Sequence, residues 1–440
     1  MATAHKFRVL EFYSGIGGMH YAFDKSGHQG EILKAFDINT TANEVYAHNH
    51  GKKQLAQRNI EAVPMEFYDK QQADVWLMSP PCQPYTRTGN QEGSKDNRAK
   101  SFLYLMDILL KMTNPPNYIL LENVKGFEES DSRDLLVEAL TGAGYEYQEL
   151  LITPLQIGIP NSRMRYYCLA RKTSVVGSFV HKPTGTLIGY IPSLDMNSEQ
   201  ESNGDKSNQQ KDFVDGRKQG DLSGLSTPAA AKKRRTSLST STVTKEDPAT
   251  EKPDEDTILA DPMLALKVET LDKYIEFKDV EDERMKRYMI PDKTLLKYGY
   301  YHFVESTGSI FQMMSEKDTA AVFDEAEALK GKPDSATADE DNAKALALLR
   351  SLGLRYFTEN EVARLMGFPI TEGKFSFPAT TSLKQRYRVL GNSINVEVVS
   401  QLIQYLLTSK SNGQDQEQGQ GQGQEQGQGQ GQEQGTETDK

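Results

Sequence analysis

The chain contains little cysteine: only Cys82 and Cys168 occur among its 440 residues. Two thiols cannot build a disulfide framework or a cysteine-rich zinc site. Such scarcity is typical of proteins in a reducing compartment. The sequence also lacks an apolar signal core near its first residue and any apolar run long enough to span a bilayer. We therefore expect a soluble intracellular protein with no membrane partner.

The chain also lacks the excess of basic residues that is typical of many nucleic-acid-binding proteins. It has 51 Lys and Arg against 62 Asp and Glu, a net charge of −11. Three segments carry most of this charge: 197–260 has a net charge of −2, whereas 316–345 and 411–440 each have −5. The remaining residues sum to +1. A local basic cleft in the folded part is therefore not excluded.

Apolar residues are scarce in two segments. The insert, 197–260, is rich in Ser, Thr, Lys, Asp and Gln, and the tail, 411–440, is a Gln/Gly repeat. Such compositions cannot bury enough apolar surface to order a chain, so we predict a disordered insert and a disordered tail. The basic cluster 232–235 within the insert is typical of a nuclear-localisation patch, but it is equally typical of a solvated linker.

A glycine-rich turn follows the first predicted strand. The run 8–13 predicts a strand, and Ser-Gly-Ile-Gly-Gly at 14–18 predicts a turn that leads into a helix. Such a turn lets backbone N–H groups approach a ligand closely. Its spacing is not the Gly-x-Gly-x-x-Gly of dinucleotide sites. A tight strand-to-helix connection without a ligand explains the same pattern.

Two carboxylates follow predicted strands. Asp37 ends the run 31–38, about 20 residues after the turn, where an acid can accept hydrogen bonds from ribose hydroxyls. Glu122 follows four apolar residues and is costly to bury without a partner or a task. The competing interpretations are a solvated strand-end acid for Asp37 and a structural ion pair for Glu122. Alternation of these strands with helical segments predicts a doubly wound, Rossmann-like α/β sheet.

Cys82 lies just past another predicted strand. Apolar residues 75–78 are followed by Ser-Pro-Pro-Cys-Gln-Pro at 79–84, and proline cannot extend a sheet. A thiol at the carboxyl end of a strand is where open α/β sheets bind ligands, and an accessible thiolate is a nucleophile. A small buried cysteine is the competing interpretation, and it is the one we favour for Cys168, inside an apolar strand.

Two arginines share one face of the segment that contains Cys168. Arg163 and Arg165 alternate, so both side chains are predicted to point the same way. Two guanidinium groups beside Glu122 suit an anionic or polarised substrate. A pair of exposed charges explains the same spacing. Farther along the chain, the run 264–288 predicts a helix.

Taken together, these motifs resemble the cytosine-5 methyltransferases that use S-adenosylmethionine. The matching segments stand in the family's order: Phe-Tyr-Ser-Gly-Ile-Gly-Gly at 12–18, Asp37, Pro-Pro-Cys-Gln at 80–83, Glu-Asn-Val at 122–124, Arg-Met-Arg at 163–165, Arg-Leu-Met-Gly-Phe-Pro at 364–369 and Gly-Asn-Ser at 391–393. Within this family the chain is most similar to the type-2 DNA-methyltransferase homologues, which methylate transfer RNA.

The resemblance implies a domain layout. We expect an S-adenosylmethionine-binding catalytic domain at 1–180 and a smaller target-recognition domain at 181–355, which carries the insert. The segment 356–410 returns to the catalytic domain, so residues 386–410 are expected to pack onto the N-terminal sheet. The tail follows at 411–440.

The resemblance also implies roles for individual residues. Cys82 is the nucleophile that attacks C6 of cytosine, and Glu122, Arg163 and Arg165 complete the catalytic set. No metal is implied. The cofactor-binding residues are Phe12, Ser14, Ile16, Gly17, Gly18, Asp37, Ile60, Glu61, Ser79, Asn392 and Ser393. A Gly17→Asp change is expected to block cofactor binding by filling the turn.

The implied partner is transfer RNA, chiefly aspartate tRNA at cytosine 38 beside the anticodon. We expect a monomer in the cytoplasm and nucleus. Two alternatives remain open at the level of sequence. One is a DNA cytosine-5 methyltransferase, although the chain has no strongly basic domain. The other is a catalytically silent nucleic-acid-binding protein, which the presence of Cys82 and Glu122 disfavours.

Overall fold

The computed structural model describes residues 5–81, 100–179, 187–192, 269–276, 284, 286–297, 310–313, 318–330 and 336–408. Cys82, the insert and the tail lie outside the described residues, as does most of the region predicted to be the target-recognition domain. Within the described ranges no helix is both long and apolar enough to cross a membrane.

An eight-stranded sheet forms the larger part of the molecule. Its strands are β1 (Phe7–Phe12), β2 (Gly30–Phe36), β3 (Leu55–Ala56), β4 (Val75–Met78), β5 (Tyr118–Val124), β6 (Tyr145–Ile152), β7 (Arg165–Lys172) and β8 (Leu187–Ile188). Their order across the sheet is β3-β2-β1-β4-β5-β7-β6-β8. β7 is antiparallel to both of its neighbours, and the other pairs are parallel. The predicted doubly wound α/β class is confirmed.

Helices cover both faces of this sheet. The first six are α1 (Gly18–Lys25), α2 (Thr40–His50), α3 (Met65–Gln71), α4 (Lys100–Leu109), α5 (Asp131–Gly142) and α6 (Thr173–Val176). Alternate residues along each strand enter different cores: Val75 and Leu77 pack with α1 and α2, whereas Trp76 and Met78 pack with α3, α4 and α5. This alternation follows from the two-residue side-chain period of a strand.

The C-terminal segment completes the first of these two cores. The described residues after β8 contain six further helices: α7 (Asp292–Lys297), α8 (Thr319–Leu329), α9 (Ala338–Arg350), α10 (Glu359–Leu365), α11 (Leu383–Gly391) and α12 (Val396–Leu407). α12 buries Val399, Leu402, Ile403 and Leu406 against α1, β5 and β7. The last described helix of the C-terminal segment thus packs on the N-terminal sheet.

A third, smaller core lies in the region predicted to recognise the target. Strands β9 (Ile310–Gln312) and β10 (Leu354–Tyr356) form an antiparallel pair beside α7, α8 and α9. Phe323, Ala345 and Leu349 are among its buried side chains. Glu361 joins this core to α10, the first helix of the return segment. At the start of α10 the Glu361 N–H donates to Thr358 Oγ1, and the Glu361 carboxylate accepts the Thr358 N–H. The same carboxylate pairs with the fully buried Arg355 at 2.8 Å.

The helix predicted for 264–288 is wrong wherever this region is described. Leu271–Lys273 form a single 3₁₀ turn, and 286–288 also form a turn. Tertiary contacts replace helical hydrogen bonds here: the Glu269 N–H donates to the Gly158 carbonyl at 2.7 Å. The Glu276 N–H donates to Glu361 Oε1 at 2.7 Å. Backbone groups engaged by distant partners cannot continue a helix.

Candidate active site

The predicted site residues collect at one edge of the large sheet. β1, β4 and β5 end there, and the antiparallel β7 begins there, because Val124 pairs with Arg165. The strand order reverses between β1 and β4, which makes this edge the topological switch point of the sheet. Open α/β sheets bind ligands outside the carboxyl ends of strands at such a point.

The glycine-rich turn leaves β1 through a left-handed backbone. Tyr13, Gly15 and Gly17 have φ angles of 59°, 53° and 87°. The Gly15 N–H donates to Asp37 Oδ2 at 2.8 Å, which ties the turn to the end of β2. A Cβ atom on Gly15 would meet nothing closer than the Tyr13 carbonyl oxygen at 4.0 Å. The turn is therefore open to a ligand at Gly15.

Gly17 and Gly18 face the protein interior. A Cβ atom on Gly17 would lie 2.6 Å from His50 Nε2, and one on Gly18 would lie 2.8 Å from Ile394 Cγ1. Gly17→Asp would therefore direct its side chain against His50 of α2 beneath the turn, and its expected block of cofactor binding stays a prediction. The lack of a side chain at both glycines therefore lets the turn pack closely against His50 and Ile394.

Asp37 is half-buried between the turn and the start of α2. Its Oδ1 accepts the Asn39 N–H at 2.7 Å, while Oδ2 is held by Gly15. Burial raises the pKa of Asp37, and the backbone hydrogen bonds from Asn39 and Gly15 act in the opposite direction. The next side chain, Ile38, is 67% exposed. The Asp37 carboxylate, which is a hydrogen-bond acceptor, and the exposed apolar side chain of Ile38 thus lie side by side next to the turn at Gly15.

The position of Phe12 does not fit its predicted role in cofactor binding. Its side chain is fully buried and stacks on Phe36 with ring centroids 5.4 Å apart, so it cannot contact a cofactor. Tyr13, which the sequence analysis did not select, is half-buried at the site edge instead. Ile60 is also buried in the core, beside the exposed Glu61. Strand alternation alone could have distinguished Phe12 from Tyr13.

Glu122 and Arg165 form an ion pair at the predicted catalytic position. Arg165 Nε lies 3.4 Å from Glu122 Oε1, and the side chains are 20% and 10% exposed. Burial raises the pKa of Glu122, whereas Arg165 and Arg163 act to lower it. The resulting carboxyl group holds a proton more readily than an ordinary glutamate. It is suited to donating a hydrogen bond, or a proton, to a substrate nitrogen.

Arg163 connects the site to the return segment. It shares the half-buried face of Arg165, as the alternation predicted. Its Nη2, however, donates to the Ser393 carbonyl at 2.7 Å and to the Gly391 carbonyl at 3.1 Å. Ser393 in turn lies against Gly18, since its Oγ would be 3.1 Å from a Cβ atom there. Asn392 is exposed at this edge.

The end of β4 lies between the turn and Glu122. Ser79 Oγ donates to the Tyr13 carbonyl at 3.1 Å, and Asn123 Nδ2 donates to the Pro80 carbonyl at 3.4 Å. The predicted nucleophile, Cys82, lies outside the described residues, so its role stays a prediction. Cys168 is 1% exposed in the second core, as predicted. Across the described ranges, no cluster of His, Cys, Asp and Glu could hold a metal ion.

A cavity of about 750 Å³ lies away from this edge. It is bounded by α1, the start of α12 and the loop after α10, and Tyr21, Asp24, Arg364 and Glu397 are among its lining residues. None of the predicted site residues lines it. The strand edge, with its converging polar groups, is therefore the better candidate for chemistry.

A buried polar cluster lies behind the glycine-rich turn. His20 and His50 stack with centroids 3.8 Å apart, and His20 Nδ1 lies 2.8 Å from the Tyr46 hydroxyl. Burial lowers the pKa of His20 to about 4 and that of His50 to about 3. Burial also raises the pKa of Glu11 to about 8; Asp37 and Asp24 add to this, whereas hydrogen bonds from Tyr46 and the His20 backbone oppose it.

Glu11 should make stability fall as the pH rises. An unfolded glutamate releases its proton near pH 4.5, whereas folded Glu11 keeps it until about pH 8. Protonated Glu11 therefore stabilises the fold fully below pH 4.5. This contribution to the free energy of unfolding is lost as the pH rises from 4.5 to about 8, by at most ~1.4 kcal/mol per pH unit. We expect Glu11→Gln to gain unfolding free energy relative to wild type as the pH rises from 5.5 to 8. Urea denaturation at several pH values measures this, with the exposed Glu44→Gln as control. A constant difference across that range would contradict it.

Comparison with known proteins places this geometry in a family. The model for the C-5 cytosine-specific DNA methylases matches residues 7–408. The human tRNA (cytosine(38)-C(5))-methyltransferase is 36% identical over 421 residues, which cover 91% of this chain and 98% of that protein. A DNA (cytosine-5)-methyltransferase of Dictyostelium discoideum is 32% identical over 425 residues, or 92% and 95%. The crystal structure of a Spodoptera frugiperda DNMT2 mutant has a TM-score of 0.61 at 32% identity, covering 92% of this chain and 100% of that chain. The chain therefore belongs to the C-5 cytosine-specific methylase family.

Proposed function

We propose that this chain methylates C5 of cytosine 38 in the anticodon loop of transfer RNA, with aspartate tRNA as its main substrate and S-adenosylmethionine as methyl donor. The observation that carries the proposal is the 36% identity, along almost the whole of both chains, to the human protein named for that reaction. The buried Glu122–Arg165 pair beside the glycine-rich turn supports the chemistry.

The described residues fit the proposed cofactor. The open backbone at Gly15 leaves room for its methionine part, with Ser79 beside the turn at the end of β4. The Ser14 and Ile16 side chains are buried, so these two residues can offer only backbone atoms. The Asp37 carboxylate can accept from the ribose hydroxyls, and the exposed Ile38 and Glu61 offer contacts to the adenine. Bound S-adenosylmethionine would supply an electrophilic methyl group on its sulfonium sulfur. Asn392 and Ser393 close the same edge from the return segment.

The carbon to be methylated needs activation, because C5 of cytosine is a weak nucleophile. Attack by the Cys82 thiolate on C6 makes C5 enamine-like, so that it can take up the methyl group. The Glu122 carboxyl group, with its raised pKa, holds ring N3 and offsets the charge that develops there. Arg165 orients Glu122. Loss of the C5 proton to a base then expels the thiolate and releases methylcytosine.

Arg163 has a different task in this proposal from the one first predicted. Because its Nη2 holds the Gly391 and Ser393 carbonyls, it ties the return segment to the catalytic edge. Its charge also helps to lower the pKa of Glu122. Arg163 thus positions residues 391–393 of the return segment next to Glu122. Arg165 is the arginine that pairs directly with Glu122.

The target base must leave its stack to reach this edge. Enzymes that react with a base take it out of the helix, and this costs a few kcal/mol in a duplex. A base in a tRNA loop is already partly unstacked, so its extrusion costs less. A DNA substrate is the second candidate, because the relative from Dictyostelium discoideum is named a DNA methyltransferase.

Methyl transfer to RNA and DNA in parallel tests the proposal. The full-length chain is incubated with labelled S-adenosylmethionine and either total tRNA or duplex DNA. We expect label in tRNA, and bisulfite sequencing should place it at cytosine 38 of aspartate tRNA. The matched control is the same tRNA with uridine in place of cytosine 38, which should stay unlabelled. Label in DNA alone would favour the second candidate, and label in neither would contradict both.

A further inference from the structure

Tyr13 occupies an unusual position for a tyrosine. Its φ angle of 59° is left-handed, a conformation that non-glycine residues rarely adopt. Such backbone strain persists only where the surroundings hold it, and it concentrates at functional sites. The residue stands at the switch point of the sheet, between the end of β1 and the end of β4.

Two hydrogen bonds join Tyr13 to two separate elements. Its carbonyl accepts from Ser79 Oγ at 3.1 Å, at the end of β4. Its hydroxyl donates to Ser101 Oγ at 3.0 Å, in the first turn of α4. Ser79 lies three residues before Cys82, and α4 is the first described element after it. One residue therefore contacts both flanks of the segment that carries the proposed nucleophile.

The same residue belongs to the cofactor turn. The Ser14 N–H, next in the chain, donates to the Phe36 carbonyl at 3.0 Å, and Gly15 binds Asp37. The left-handed step at Tyr13 lets the backbone enter this turn while the side chain reaches α4. A regular strand would continue the alternation of β1 at this residue and would not make both connections.

We propose that Tyr13 is a positioning residue for methyl transfer, which sets the distance between the cofactor turn and the two flanks of the Cys82 segment. This inference rests on the proposed function. The Tyr13 hydroxyl holds α4 at Ser101, and its carbonyl holds β4 at Ser79. Losing either link lets the thiol and the cofactor turn shift relative to each other, which slows the reaction without removing any binding group.

The test removes the hydroxyl link from each side. Tyr13→Phe, Ser101→Ala and the double variant are compared in methyl transfer to tRNA at saturating substrates, and the KM for S-adenosylmethionine is also measured. We expect each single variant to lower kcat about 5-fold, with the KM within about 2-fold of wild type. The double variant should lose no more than either single variant, because all three lack the same bond. Ser101→Thr keeps a hydroxyl and should restore most of the rate.

Tyr145→Phe is the matched control, because it removes a buried hydroxyl that donates to the Pro116 carbonyl at the opposite edge of the sheet. It should keep kcat, and melting temperatures show whether each variant is folded. The inference is overturned if Tyr13→Phe keeps full kcat, if the two single losses multiply in the double variant, or if only the KM rises. An inactive wild-type chain would instead contradict the proposed function, so the two failures are distinguishable.

Discussion

Methyl transfer should fall by at least about 10³-fold when Cys82 is replaced by alanine, because covalent activation of C6 has no substitute in this mechanism. The loss should appear in kcat at saturating tRNA and S-adenosylmethionine. Binding of tRNA, measured by fluorescence anisotropy, should stay close to wild type, since the deleted thiol contributes little to affinity. A covalent RNA–protein adduct trapped with a 5-fluorocytosine substrate should also disappear.

The chain offers a natural control for this experiment. Cys168→Ala removes the only other thiol, which is buried in the second core opposite Leu121. That variant should lose about 1 kcal/mol of stability and keep its methyl transfer, because the site edge is untouched. Unchanged transfer by Cys82→Ala, or equal losses in both variants, would contradict the assignment of Cys82.

Glu122→Gln should reduce kcat by about 10²- to 10⁴-fold, the usual range for loss of a general acid. Glutamine keeps the shape of the side chain, but it cannot transfer a proton to ring N3. It also leaves Arg165 without the carboxylate that lies 3.4 Å away. Because the reacting group is lost and the cofactor turn is kept, the KM for S-adenosylmethionine should change little.

The pH profile distinguishes this role from a structural ion pair. Burial raises the pKa of Glu122, so the protonated form persists to a higher pH than in an ordinary glutamate. In wild type, kcat should fall as the pH rises through that pKa, and Glu122→Gln should lose this limb of the profile. Glu146→Gln, at the opposite end of the sheet, is the control carboxylate and should behave as wild type. A Glu122→Gln enzyme with normal kcat and an unchanged profile would rule out proton transfer by Glu122.

The candidate site shows where sequence patterns are sufficient. Asp37 and Glu122 could be selected because a carboxylate after an apolar run marks the end of a buried strand. Parallel strands bring such ends to one edge, so their proximity in space followed from the α/β class. The alternation of Arg163 and Arg165 likewise placed both side chains on one face. These features depend on local periodicity, which is encoded within a few residues.

Other features required the folded chain. Arg163 holds the carbonyls of Gly391 and Ser393, more than 200 residues away, and no local pattern encodes that contact. The clash behind Gly17 depends on where α2 packs, and the loss of the helix expected near 271 depends on contacts with Gly158 and Glu361. Each of these outcomes is decided by partners that are distant in sequence.

By itself, then, the sequence determined the α/β class, the strand ends that carry the polar groups, and the family. Only the tertiary structure decided that Gly17 packs against His50 of α2, and that Arg163 binds the Gly391 and Ser393 carbonyls of the return segment. The physical reason is that side-chain periodicity specifies the face on which a residue lies. Hydrogen bonds and close packing between distant segments specify what that face contacts.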